Sequence, residues 1–135
     1  MRLNTNLKKL THKEIRNIVV ETKQYCESKF GVNKRKGVCN ITVRTQGKSD
    51  KYLKYGEYYP DGHKIVIYKN VCFNVRSLIK TTIHEYTHSL QPIKSKYWVL
   101  LKEYGYSKHP FEIEANEKQK AYKDAWKQIK PKMVK

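Results

Sequence analysis

The stretch Thr81-Thr82-Ile83-His84-Glu85-Tyr86-Thr87-His88 places two histidines four residues apart, with a glutamate directly after the first. On an α-helix, residues at that spacing lie one above the other on the same face. His84 and His88 would then offer two imidazole nitrogens to one cation, with the Glu85 carboxylate beside them. Zinc accepts such nitrogens at about 2.0–2.1 Å, and its catalytic sites keep a position open for water. Glu85 is the group in this set placed to take a proton from that water. Histidines four apart also occur by chance in ordinary helices. The rest of the chain must therefore supply a helix to carry the pair and a third ligand to complete the site.

The helix is readable. Asn74 is a capping residue, and Val75, Leu78, Ile79, Ile83, Tyr86 and Leu90 follow a helical period up to Pro92. The spacing predicts a helix over about 75–91, stopped by the proline. The third ligand must come from elsewhere. In one established pattern, a glycine and a third histidine follow the second histidine at +3 and +6. Here those positions are Gln91 and Lys94, so that class is excluded. The other common solution is a glutamate on a following helix, and Glu112 and Glu114 in Phe111-Glu112-Ile113-Glu114-Ala115-Asn116 are the candidates. A surface-facing pair of glutamates near a helix start is the plain alternative.

His84-Glu85-x-x-His88 followed by Glu112-x-x-Ala115-Asn116 resembles the gluzincin metallopeptidases, and among them the small ImmA/IrrE-like group. The resemblance covers the region from the expected hairpin to the last helix. It implies one zinc ion held by His84, His88 and Glu112, with Glu85 as general base. It also implies Asn116, one turn further on, as the residue that orients a ligand histidine. Glu114 points to another side of the same helix and is the second choice. A rival resemblance is to the SprT-like proteases, whose Spartan members act on DNA-bound proteins and use a third histidine. Only His109, in Lys108-His109-Pro110-Phe111, could fill that role. His109 could instead donate to a transition-state oxyanion or open a helix, and Tyr104 and Tyr106 are the other candidate donors.

The surrounding elements predict an α+β fold in a single domain over residues 1–135. Thr11-His12-Lys13-Glu14 has the form of a capping box, and apolar residues from Ile15 to Phe30 follow a helical period up to Gly31. Val38–Arg44, Tyr55–Tyr59 and Lys64–Tyr68 read as strands. The last two are joined by the turn signal Pro60-Asp61-Gly62, and a polar loop spans 45–54. The expectation is a small, mainly antiparallel sheet with Lys64–Tyr68 as an edge along which a peptide substrate lies extended. Residues 93–107, rich in aromatics, read as a short helix or a lid. A last helix beginning at Pro110 would carry the third ligand, and a tail over 130–135 would fray. Thr81 would pack beneath the site.

Composition bounds the partners. The chain has 135 residues, 29 Lys and Arg against 12 Asp and Glu, and a formal charge of +17. Such a surface attracts polyanions, which makes nucleic acid an alternative partner. Yet 24 of the 29 are lysines spread along the chain, and few arginines are available for bidentate phosphate contacts. Cys26, Cys39 and Cys72 form no metal-binding pair and read as free, core-packing thiols of a reducing compartment. No signal peptide and no apolar run of membrane-spanning length is seen, so the expectation is a cytoplasmic monomer without a membrane partner. The functional expectation is a zinc-dependent endopeptidase acting on protein or peptide. The alternatives are a nucleic-acid-associated module with a weak or silent zinc site, and a structural protein with a closed one.

Overall fold

The computed structural model describes residues 1–47, 53–92 and 94–133. Its first long element is fixed by the expected capping box. Thr11 Oγ1 accepts from the Glu14 N–H at 3.1 Å, and Glu14 Oε1 accepts from the Thr11 N–H at 2.9 Å. Helix α1 then runs His12–Phe30 and ends at Gly31, whose φ of 88° is the left-handed geometry that suits a residue without Cβ. Ile15, Ile18, Val19, Thr22, Tyr25 and Cys26 form its buried stripe.

Three strands follow: β1 (Asn40–Arg44), β2 (Gly56–Tyr59) and β3 (Lys64–Tyr68), in the order β1-β3-β2. Two expectations are corrected here. The sheet is mixed: β1 runs parallel to β3 with Asn40 opposite Lys64, whereas β2 pairs antiparallel to β3 with Gly56 opposite Ile67. Strand β3 is central, and the edges are β1 and β2. The reason lies in Ile65-Val66-Ile67, all three buried. A continuous apolar run has to be covered on both faces, which is the mark of an interior strand. Alternation patterns do not encode strand direction, so the parallel partner was invisible. Of the expected polar loop, residues 48–52 lie outside the described residues.

Helix α2 spans Val75–Leu90, with the Asn74 side chain accepting from the Ser77 N–H at 2.9 Å. It is buried along most of its length and packs on α1, β2 and β3. After it come α3 (Lys94–Tyr104), α4 (Pro110–Lys118), a 3₁₀ turn at Gln119–Ala121 and α5 (Tyr122–Met133). The single last helix of the sequence reading is therefore broken in the middle, and its end does not fray at residue 130. Ile129 is buried and Met133 packs against the core, which holds the last turn in place despite Pro131. The observed class is α+β. Among the described residues no helix is long and apolar enough to cross a membrane. Cys26, Cys39 and Cys72 are buried and free, as expected.

The joint between sheet and motif helix is tight at one point. A Cβ added at Gly56 would lie 3.0 Å from Thr81 Cγ2, 3.0 Å from the Val66 carbonyl oxygen and 3.2 Å from Ile67 Cδ1. Thr81 does pack beneath the site, and β2 approaches α2 this closely because residue 56 has no side chain. Gly56→Ala should lower unfolding free energy by about 1–3 kcal/mol, the usual cost of forcing an extra carbon into a packed joint. Chemical denaturation checks this; an unchanged or stabilised protein would show that β2 can move off the helix freely.

Candidate metal centre

The four-residue spacing on α2 brings the His84 and His88 rings to 5.0 Å between centroids. Helix α4 brings Glu112 up to them. Its Oε1 lies 3.0 Å from His84 Nε2 and its Oε2 lies 3.2 Å from His88 Nε2. One ligand atom from each of the three residues falls within 4.8 Å of the others, close enough to share one metal ion. Glu112 and Ala115 are the buried residues of α4, and α4 packs on α2. The Ala115 side is small enough to let the helices approach, and Glu112 then points inward.

The other sequence candidates are placed elsewhere. Glu114 is exposed on α4; it accepts from Gln91 Nε2 at 2.6 Å and pairs with Lys118. His109 is fully buried as the N-cap of α4. Its Nδ1 accepts from the Phe111 N–H at 3.1 Å, and its Nε2 lies 2.9 Å from the Tyr97 carbonyl oxygen. Both ring nitrogens are engaged, so His109 opens the helix and is neither ligand nor oxyanion donor in this geometry. Tyr104 is exposed and lines neither recess around the histidines. Tyr106 lines both, with its hydroxyl 3.4 Å from Glu112 Oε1.

Asn116 does not orient a histidine, because the Nδ1 positions are already taken. His84 Nδ1 lies 2.9 Å from Gln119 Oε1, and His88 Nδ1 lies 2.7 Å from Gln91 Oε1. Gln91 Nε2 donates to the Phe111 carbonyl at 3.0 Å as well as to Glu114, which fixes the amide with its oxygen towards His88. An amide oxygen only accepts, so Nδ1 must carry the proton. In the neutral ring, Nε2 is then left as a lone pair aimed at Glu112. That is the tautomer a metal ligand needs, held by the kind of outer partner that metal-binding histidines have. The donor set fits a metal for a second reason. Without a cation, both ring nitrogens of each histidine face oxygen acceptors, which only a doubly protonated ring can satisfy. A metal at Nε2 removes that demand.

The sequence reading missed three residues here. Gln91 is one turn beyond His88, a spacing that could have flagged it. Gln119 lies seven residues after Glu112, so helical phase returns it to the same side at the C-terminal end of α4, where it meets His84. Tyr97, within the aromatic stretch 93–107, carries no sequence signal of its role: its hydroxyl donates to Glu112 Oε2 at 2.6 Å, and its ring stacks on His109 at 4.1 Å.

Glu85 sits half-buried between these groups, with no hydrogen bond or ion pair among the described residues. Burial raises its pKa, and the nearby histidines only partly oppose this. Burial by itself would lower the His84 and His88 pKa values. The bonds to Glu112 and the charge of Glu85 outweigh it and raise both. Burial likewise disfavours the Glu112 carboxylate, yet the bonds from His84, His88 and Tyr97 hold its pKa well below the ordinary carboxylate range.

No family model, curated protein or solved structure matches this chain. The reading of the site rests on its own geometry.

Two predictions follow from the ring nitrogens. Gln91→Ala and Gln119→Ala should each weaken metal affinity by about 10–100-fold without removing a ligand, as loss of an orienting partner does; titration against a zinc-competing chelator checks this, and wild-type affinity in both variants would refute the tautomer argument. The second concerns pH. Histidines whose folded pKa is raised stabilise the metal-free fold below their unfolded pKa of about 6.5, and that stability is lost as pH climbs through the raised value. Glu85, also raised, has the same sign. Metal binding needs deprotonated imidazoles, so it strengthens over the same interval. From about pH 6 to about pH 9 the metal-free thermal midpoint should fall while the stabilisation by added zinc grows. Parallel trends in scanning calorimetry would contradict it.

Proposed function

We propose that this chain is a zinc-dependent metallopeptidase of the gluzincin type, with His84, His88 and Glu112 holding the ion and Glu85 acting as general base. The observation that carries the reading is that a carboxylate free of any described partner, Glu85, borders the cluster that can hold a metal. A closed structural site has no use for such a group. A bound zinc ion would supply Lewis acidity, lowering the pKa of a water towards ~7 and polarising a carbonyl oxygen.

The protein groups then have distinct roles. Glu85, with its pKa raised by burial, is suited to accept a proton near neutral pH and pass it to the leaving amine. Gln119 and Gln91 hold the ligand rings in one tautomer and one orientation. Tyr97 holds the Glu112 carboxylate in place. Tyr106, with its hydroxyl at the mouth of the site, is the remaining donor for a developing oxyanion. Strand β2 is an edge that borders the same recess through Gly56, Glu57 and Tyr58. An extended peptide could add to it with its scissile carbonyl facing Glu85. β2 takes the role that the sequence reading gave to β3.

The second reading, a nucleic-acid-associated protease of the SprT-like type, is supported by the charge of +17. Its third-histidine requirement fits poorly with a His109 whose two nitrogens are both engaged.

Glu85→Gln should retain one equivalent of zinc and lower kcat/KM on a peptide substrate by about 10²–10⁴-fold, the usual contribution of a general base. His84→Ala should lose the metal itself. Metal analysis and a peptide-cleavage assay read the two outcomes apart, and undiminished cleavage by Glu85→Gln would remove the proposed base.

A further inference from the structure

Two recesses meet at Glu85 and His84, and their chemistry differs. One, of about 510 Å³, runs under the C-terminal end of β2 and is walled by Tyr58, Tyr97, Trp98 and Tyr106, with the acids Glu57, Asp61 and Glu112 also on its lining. The other, of about 630 Å³, runs under the N-terminal end of β2 and is bordered by Lys54, Arg76, Lys80 and Asn116. Glu85 is the only carboxylate among its lining residues.

The cations of the second recess are arranged by the motif helix. Arg76, Lys80, His84 and His88 recur every four residues on α2, so they form one stripe along a single face that leads to the metal cluster. Lys54 is already paired with Glu57 at 2.7 Å. Arg76 and Lys80 have no carboxylate partner among the described residues. Both instead lie over the ring of Tyr122, with Arg76 Cζ at 5.9 Å and Lys80 Nζ at 4.7 Å from its centroid. Lys123 Nζ lies 6.0 Å from the same centroid, so one aromatic ring gathers three like charges. Positive charge in the first turns of a helix also opposes its dipole, so helix stability does not account for the pair. Asn116, left without a role at the histidines, adds an amide donor to the same wall.

We propose that this recess binds an acidic side chain of the peptide substrate, so that cleavage favours glutamate or aspartate on one side of the scissile bond and an aromatic or large apolar residue on the other. The inference rests on the peptidase reading of the site. Arg76 and Lys80 are specificity residues and touch neither the metal ligands nor the reacting bond. The acid would be recognised by charge-assisted hydrogen bonds from these two cations, and the aromatic residue by the tyrosine and tryptophan rings across the site.

The test uses peptides that differ only in Glu, Gln or Lys on one side of a fixed central bond, with phenylalanine on the other side, in both orders. Binding is measured by calorimetry to the zinc-loaded Glu85→Gln protein, and cleavage is measured with the wild type. The Glu peptide in one order should bind, and be cut, about tenfold better than its Gln counterpart, as expected for charge-assisted bonds. The Arg76→Ala/Lys80→Ala double variant should lose that preference while handling the Gln peptide as the wild type does, and Lys80→Glu should shift preference towards the Lys peptide. Equal treatment of Glu and Gln in both orders, a preference that survives the double variant, or no binding of any peptide overturns the proposal. So does a single-stranded DNA oligonucleotide that depends on Arg76 and Lys80 while the peptides are not discriminated. If binding discriminates as expected but the wild type cuts nothing, the peptidase reading fails and the acid-binding recess stands.

Discussion

The architecture of the site depends on one contact, the approach of the Glu112 carboxylate to the two imidazoles of α2. Three groups from two helices are brought within 4.8 Å of one another, although two of them can carry positive charge and the third is a buried acid. Such a cluster is costly to assemble, because each ionised group gives up water. It is held by being completely satisfied: each carboxylate oxygen of Glu112 has both a histidine and a tyrosine as partner. Among the described residues, no buried side-chain polar atom lacks a partner. A network of this kind is high in stakes and specific in geometry, since removing any one member strands the others.

Helix α4 has to be brought to α2 and stopped there. His109 caps it, Pro110 starts it, Ala115 permits its close approach and the 3₁₀ turn at Gln119–Ala121 ends it. Asn116, four residues after Glu112, lines the recess beside His84, and Gln119, seven residues after Glu112 and so on the same side of the helix, brings its amide to His84. Behind α4, the Tyr97 ring stacks on His109, so the residue that opens the helix also supports the tyrosine that holds its glutamate.

These details set the limit of what the sequence alone could tell. The helical pairing of His84 and His88 was legible because four-residue spacing has only one reading on a helix. The capping box of α1, the Asn74 cap of α2 and the turns were legible because their chemistry is local. Glu112 against Glu114 could be narrowed but not decided without the packing of α4, which buries one and exposes the other. Gln119, seven residues after Glu112, shares its side of the helix and could have been flagged, whereas Tyr97 was not legible, since its ring is placed by tertiary stacking. The parallel pairing of β1 was hidden for a similar reason: an apolar run reports burial, not direction. Local chemistry was read correctly, and errors arose where two elements separated in sequence had to be set against each other.

The charge of the chain acquires a different meaning once the fold is known. Read along the sequence, +17 is a diffuse property that would attract any polyanion. At the site it is not diffuse. The face of α2 that ends in the histidines begins with Arg76 and Lys80, while across β2 the acid Glu57 is already paired with Lys54 and accepts hydrogen bonds from Tyr59 and Tyr68. The lining of the cleft is therefore graded, with the cations Arg76 and Lys80 at one end and aromatic rings together with Glu57, Asp61 and Glu112 at the other. A long polyanion would meet favourable potential only along part of its length. A short segment whose charge changes from residue to residue matches the gradient throughout. On electrostatic grounds, this uneven lining favours the proposed peptide substrate over a phosphate backbone as the occupant to test first.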